Sequence, residues 1–573
     1  MTSNFLLRLR ILAGFFIVLI MLIALRLFSV QIVHSEDYKD RADRQYAAPA
    51  SSLFERGSIF FTEKDGSNVS AATLKTLYKV AIKPKEISDS DATYAFLEPY
   101  VSLTREEFQK KAKAIDDPYE QVASRLPKSV ADAIEAKHLP GVYVYKEKIR
   151  FYPGESLAAQ ALGFVAYKGD ELSGRYGIER MYNAILSRDS STTQVNFFAE
   201  VFSNITKTIF KNPEAEGDIV LTLDPAIQAT FEKTLLETKT KWNADAIGGI
   251  VINPIDGAIY AMAYAPTFDL NAFQSVEDPL LYANPNVENV YEFGSVIKPL
   301  TLSGGLDTGV IKPTTTYDDK GFVILSGKQI NNFDKKARGP GTSMQDVLNE
   351  SLNTGSVFVM QKMGRESFKK YMLSFGIGDK TGIDLPNETS GLISNLKTNR
   401  DLEYANAAFG QGIAITPIEA VRSFSAIANG GLMITPHLVS QINYTNGTHT
   451  EIEPKAGTRI LKPETSLAMT EMLTIVADTM MKTYNESLPH YSIAVKTGTA
   501  QIAKADGTGY IEGQNLHSIF GYFPAYDPKF LTFVYMKNPK GAKFSAQTLS
   551  GPLLSTASFL LNYYDVTPDI TSE

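Results

Sequence analysis

From Ile11 to Val33 the chain reads ILAGFFIVLIMLIALRLFSVQIV, with Arg26 as its one charged residue. A run this long and apolar is expected to cross a bilayer once, as a helix that satisfies its own backbone. Arg8 and Arg10 precede it. By the positive-inside bias they keep residues 1–10 in the cytoplasm and send everything after Val33 across, and Arg26 near the far end can snorkel to the interface. A cleaved signal peptide fits less well, because the run is long for such a segment. The first small-residue stretch, AAPAS at Ala47–Ser51, lies beyond the charged HSEDYKDRADR. A core helix would seldom be apolar on every face. The expectation is a single uncleaved anchor at 11–33, with the remainder folding outside the cytoplasm.

That remainder is too long for one ordinary core, since the whole chain has 573 residues. A formal net charge of -7 gives no basic surface for nucleic acid. The sequence contains no cysteine, which removes disulfides, thiolate nucleophiles and thiolate-bound zinc together. The 6 histidines are dispersed and form no HxxxH pair, so neither a metal site nor a cofactor is expected.

Beyond the anchor, residues 34–212 mix short strand and helix signals. TLYKVAIKP alternates like a strand, whereas REEFQKKAKAI and EQVASRL carry helical spacing. The turn-rich KNPEAEGD at Lys211–Asp218 reads as a boundary. From 218 to 573 a second unit begins with the apolar DIVLTLD and the helix-like PAIQATFEKTLLETKTKW. A hairpin is expected around Pro254–Gly257, two strands in YSIAVKTGTAQI and FLTFVYMKN, and a terminal helix in PLLSTASFLLNYY. Strands at both ends with helices between them predict one α/β unit.

Within that unit, YEFGSVIKPLT places Ser295 and Lys298 three residues apart. On a helix they share a face. A serine hydroxyl needs a base and oxyanion donors to act as a nucleophile. Lysine serves as that base only where burial or a second cation disfavours its charge. Ser-x-x-Lys alone is weak, for it recurs at Ser367–Lys370; Lys-Thr-Gly also occurs twice, at Lys380 and Lys496. Ser351-Leu352-Asn353 supplies Ser-x-Asn, and the ordered set SVIK, SLN, KTGT is far more specific than any one part. Taken singly, Asn353 could be a helix cap, Ser351 a hydrogen-bonded helix residue, and Thr497 and Thr499 strand formers.

With these motifs the chain resembles the class B penicillin-binding proteins, membrane-anchored peptidoglycan DD-transpeptidases. FGIGDKTGIDLPNETSGL, AAFGQGIAITPIEAVRSFSAIANGG and GYFPAYDPKFLTFVYMKNPK extend the likeness through the second unit; ERGSI, RFYPGESLAAQALGFV and GRYGIERMYNAIL extend it through the first. The resemblance implies a transpeptidase domain with a central antiparallel sheet flanked by helices, preceded by a mixed α+β pedestal and the transmembrane helix. It implies that Ser295 attacks the penultimate D-Ala carbonyl of a stem peptide, with Lys298 taking its proton and Ser351 relaying it. Asn353 would hold the acyl amide. Lys496 would keep the cluster positive and, with Thr497 and Thr499, bind the substrate carboxylate. Gly498 would admit the substrate backbone, and the N–H groups of Ser295 and Thr499 would form the oxyanion hole. β-Lactams would acylate the same serine, and a separate membrane glycosyltransferase with other division or elongation proteins would be partners at the bacterial inner membrane.

Two departures stand out: Phe293 precedes Gly294 where the family usually has proline, and FFTEKDGS after RGSI is longer than the usual turn. Strict alternation also sends Lys496 and Thr497 to opposite faces of a strand. A β-lactamase or DD-carboxypeptidase shares the three motifs, and a β-lactam sensor or scaffold shares the fold; size, anchor and pedestal favour the transferase. The wording GSVIKPLT leans toward the septal branch, with the elongation branch as the alternative.

Overall fold

The computed structural model describes residues 55–168, 171–188, 216–454, 457–480, 488–504 and 509–570, together with Met21. The expected anchor at 11–33 lies outside the described residues. Among those described, no helix is long and apolar enough to cross a membrane. The chain divides into two compact units interleaved in sequence. The described part of one is essentially Leu74–Ile149; the other combines Arg56–Thr73, Arg150–Arg188 and Asn212–Glu573.

The first unit has its own core, built from Val80, Ile82, Tyr94, Leu97, Phe108, Val122 and Ile134. REEFQKKA forms the expected helix, Arg105–Ala112, closed by a Thr104–Glu107 capping box. EQVASRL does not: Glu120–Leu126 is a strand, antiparallel to Tyr78–Ile82. Its helical spacing rested on few residues, and the ladder together with burial of Val122 overrides it.

In the second unit, β1 (Ala246–Ile252), β2 (Ile259–Ala265), β3 (Ala494–Ala503), β4 (Tyr510–Phe523) and β5 (Phe530–Lys537) form an antiparallel sheet in the order β3-β4-β5-β1-β2. The β1–β2 hairpin forms where expected, and Gly257 turns it at φ +89, a conformation suited to glycine. DIVLTLD does become a strand, Gly217–Leu221, but it joins a different sheet, between Ile59–Thr62 and Val439–Tyr444. The long FFTEKDGS stretch still closes as a hairpin, Thr62 opposite Asn68, with Gly66 at φ +84.

The helices that position the site are α1 (Pro225–Lys241), α2 (Lys298–Asp307), α3 (Asn353–Met363), α4 (Pro417–Ala428), α5 (Pro463–Met480) and α6 (Ser545–Tyr563). α1 starts at an Asp224 cap followed by proline, as its sequence predicts. Directly opposed residues in an antiparallel pair point to the same face, so β4 sorts the layers. Ser518, Phe520 and Tyr522 face the Gly294–Ile297 turn, α4 and α5: Ser518 donates to Phe293 O, Phe424 of α4 stacks on Phe520 at 4.1 Å, and Tyr522 meets Thr470 of α5. His517 bonds Thr548 of α6 on the other face. α4 is buried at every residue.

Candidate active site

Ser295 lies in a short 3-10 turn, Gly294–Ile297, that runs directly into α2. Three residues per turn eclipses positions i and i+3, so Ser295 stands above Lys298. The turn is fixed from three sides. Gly294, at φ +65, donates its N–H to Gly410 O at 3.1 Å. Phe293, which stands where the resembled family usually has proline, is buried among Phe533 and Tyr535, with centroids at 5.0 and 5.9 Å. The third side is β3: a Cβ on Gly498 would stand 2.5 Å from Phe293 O and 3.0 Å from Val296 N. Ser295 itself remains half-buried.

Lys298 and Lys496 are both 0% exposed. Lys298 Nζ donates to the carbonyl oxygen of Ser351, and it reaches Ser351 Oγ at 3.2 Å. Lys496 Nζ reaches the same hydroxyl at 3.2 Å and Thr497 O at 2.9 Å. Among the described residues neither lysine pairs with a carboxylate. Burial, followed by the charge of Lys496, holds Lys298 well below the ordinary lysine range, and burial brings Lys496 down to about 7. The amine beside the serine turn thus meets both conditions, burial and a second cation, that favour its acting as a base.

Ser351 is not in a helix; it occupies a turn at φ +54, after Met344–Asn349 and before α3. Asn353 is the first residue of α3 but not its cap, and its amide donates to Asn331 O at 2.9 Å. Alternation along β3 holds from Lys496 to Thr499. Lys496 and Gly498 oppose Phe520 and Ser518 on the face of the serine turn, whereas Thr497 and Thr499 oppose Ile519 and His517 on the α6 face. Thr499 Oγ1 there accepts from Ser545 N at 3.2 Å. Lys298, Ser351 and Lys496 are therefore in direct contact, Gly498 abuts the serine turn, and Asn353 and Thr499 belong to the flanking walls. Neither repeat motif joins them, for Lys370 and Lys380 are exposed elsewhere.

Sequence reasoning passed over the support beneath Asn353. Buried Asp319 accepts from Thr354 Oγ1 at 2.8 Å, Asn332 Nδ2 at 3.1 Å and Arg338 N at 3.1 Å, while Asn332 Oδ1 accepts from Thr354 N at 3.2 Å. It also passed over Tyr510, whose hydroxyl donates to Glu292 Oε2 at 2.9 Å. The glutamate beside the motif was visible in YEFGS; its partner, far along the chain, had no local signal.

A half-buried serine at the head of a buried helix, a lysine one turn on and a second lysine sharing a hydroxyl define an active-site-serine acyltransferase of the penicillin-recognising class. Residues 247–557 match the penicillin binding protein transpeptidase domain and residues 54–222 the penicillin-binding protein dimerisation domain. The chain belongs to the penicillin-binding protein family, in its class B, and is a serine-type transpeptidase of cell-wall synthesis. Stage V sporulation protein D of Bacillus subtilis is 30% identical, over 94% of this chain and 83% of that protein. The peptidoglycan D,D-transpeptidase MrdA of Acinetobacter baumannii is 27% identical, over 93% and 85% respectively. Penicillin-binding protein 2X of Streptococcus thermophilus has the same fold, with a TM-score of 0.73 at 20% identity over 91% of this chain and 83% of that one.

Proposed function

We propose that Ser295 is the nucleophile of a peptidoglycan crosslinking reaction on stem peptides ending in D-Ala-D-Ala. Ser295 Oγ attacks the penultimate D-Ala carbonyl and gives its proton to neutral Lys298 Nζ. The oxyanion forms between the N–H groups of Ser295 and Thr499. As the peptide bond breaks, the proton passes through Ser351 Oγ to the departing D-Ala amine. Lys496 supplies the remaining positive charge from the serine-turn face of β3, while Thr497 and Thr499 receive the terminal carboxylate across the edge of that outermost strand; Asn353 holds the acyl amide once its amide turns from Asn331 O. An amine of a second stem peptide then takes the acyl group from Ser295. β-Lactams stop at the acyl stage because their amine stays tethered.

One observation carries this reading: two fully buried lysines converge on the Ser351 hydroxyl beside the serine turn. Mass spectrometry of penicillin-treated protein is expected to find the adduct on Ser295, with none in Ser295→Ala; an adduct elsewhere would overturn the assignment. Slow loss of that adduct marks the transferase, and rapid turnover would mark a hydrolase.

We further infer a single-pass anchor at Ile11–Val33 in the bacterial inner membrane, an extracytoplasmic catalytic domain, and work at the septum beside a separate membrane glycosyltransferase. The apolar run and its preceding arginines support the first two. Exchange of Ile11–Val33 for an unrelated span is expected to impair wall synthesis in cells while leaving penicillin acylation intact.

A further inference from the structure

Phe333 follows the strand Lys328–Asn331, and Phe544 immediately precedes α6. Their ring centroids are 5.5 Å apart at an interplanar angle of 80°. This is the edge-to-face arrangement that aromatic quadrupoles favour. Phe333 is 54% exposed and Phe544 38%, in contrast to the fully buried lysines.

Each ring is tied to a different wall of the cleft. On the hairpin side, Asn331 O accepts from Asn353, and the loop carrying Phe333 is held by Arg338, which pairs with Asp334 at 2.8 Å and with Glu350, the neighbour of Ser351, at 2.7 Å. On the sheet side, Gln547 Oε1 accepts from Phe544 N at 3.1 Å, and Ser545 N donates to Thr499. At the floor, Lys496 meets Ser351. The contacts close a ring: from Lys496 along β3 to Thr499, through Ser545 to Phe544, across to Phe333, and back through Asn331 and Asn353 to Ser351. The aromatic link is the exposed one and contains no hydrogen bond, so it is the link that opens most readily.

We propose that Phe333 and Phe544 form an aromatic gate over the cleft, which selects acyl donors by the bulk of the group they carry beyond the reacting carbonyl. A slim donor passes beneath the joined rings; a bulky one reacts only after they part. This rests on the acyl-enzyme reading above.

The test is the ratio of two acylation rates, for a penicillin bearing a large boron-dipyrromethene dye and for benzylpenicillin. Phe333→Ala and Phe544→Ala are each expected to raise that ratio about two- to tenfold, the equilibrium weight of one aromatic pair. The double variant should add little, since either loss opens the contact. An unchanged ratio, or gains that multiply, would overturn the gate. Because the chain has no cysteine, a Phe333→Cys, Phe544→Cys variant can also be bridged with dibromobimane, and the bridged protein should lose reaction with the bulky penicillin before the small one. Failure of the thiols to bridge would likewise overturn the proposal. Labelling of the parent by benzylpenicillin tests the acyl-enzyme reading alone, so the two can fail separately.

Discussion

Lys298 and Lys496 illustrate how one pocket makes two identical side chains do different work. Burial lowers both, the charge of Lys496 lowers Lys298 further, and Lys496 stays cationic until about 7. Acylation is expected to climb as Lys298 deprotonates and to fall as Lys496 loses its charge, giving a bell across the neutral range in stopped-flow rates with penicillin. Lys298→Ala should lower that rate by about a hundred- to ten-thousandfold, the usual weight of a general base. Lys496→Arg should flatten the falling limb, because a guanidinium keeps its proton. The same burial costs stability. Between about 7 and the ordinary lysine range the unfolded chain holds protons that the folded one has released, so stability rises with pH through that window.

Among elements, the start of α3 depends on the segment between Thr316 and Ser343, whose outer strands pair with each other and enclose the Phe322–Leu325 and Lys328–Asn331 hairpin. Thr354→Val removes a buried donor to Asp319 and is expected to cost about 1–3 kcal/mol in urea unfolding. It should also slow penicillin acylation, whereas Ser367→Ala in the second Ser-x-x-Lys copy should change neither. What could be read from the sequence divides along the same line. The strands β1, β2, β3 and β5 and the helices α1 and α6 carry their own periodicity, caps and turn residues, and the motif order pointed to Ser295, Lys298, Ser351 and Lys496. The φ of Ser351, the Asp319 network and the sheet joined by Gly217–Leu221 arise from partners far along the chain, so no local pattern announces them. EQVASRL failed for the same reason, since its conformation is set by the strand beside it.

At the scale of the whole molecule, distant segments of the larger unit are tied by buried charge. Arg56 Nε and Arg150 Nε each reach Glu179, both at 2.6 Å, and Tyr152 OH adds a bond at 3.2 Å. Burial pushes the Glu179 carboxyl up, but Arg150 and Arg56 outweigh it and keep the group ionised. Glu179→Gln strands two guanidiniums in the interior and is expected to cost about 3–5 kcal/mol in urea unfolding. Protein that still folds should acylate normally, because none of these groups touches the serine turn. The order of the sheet has a further consequence. β5, made late, pairs with β1, made hundreds of residues earlier, and β3 brings in Lys496 only near the end. During synthesis, β1 and β2 must therefore wait with an unpaired edge, a template for mispairing, while the serine turn lacks half of its pocket. A chain still on the ribosome is therefore expected to be inert toward penicillin, and to become reactive only once β3, β4 and β5 have docked.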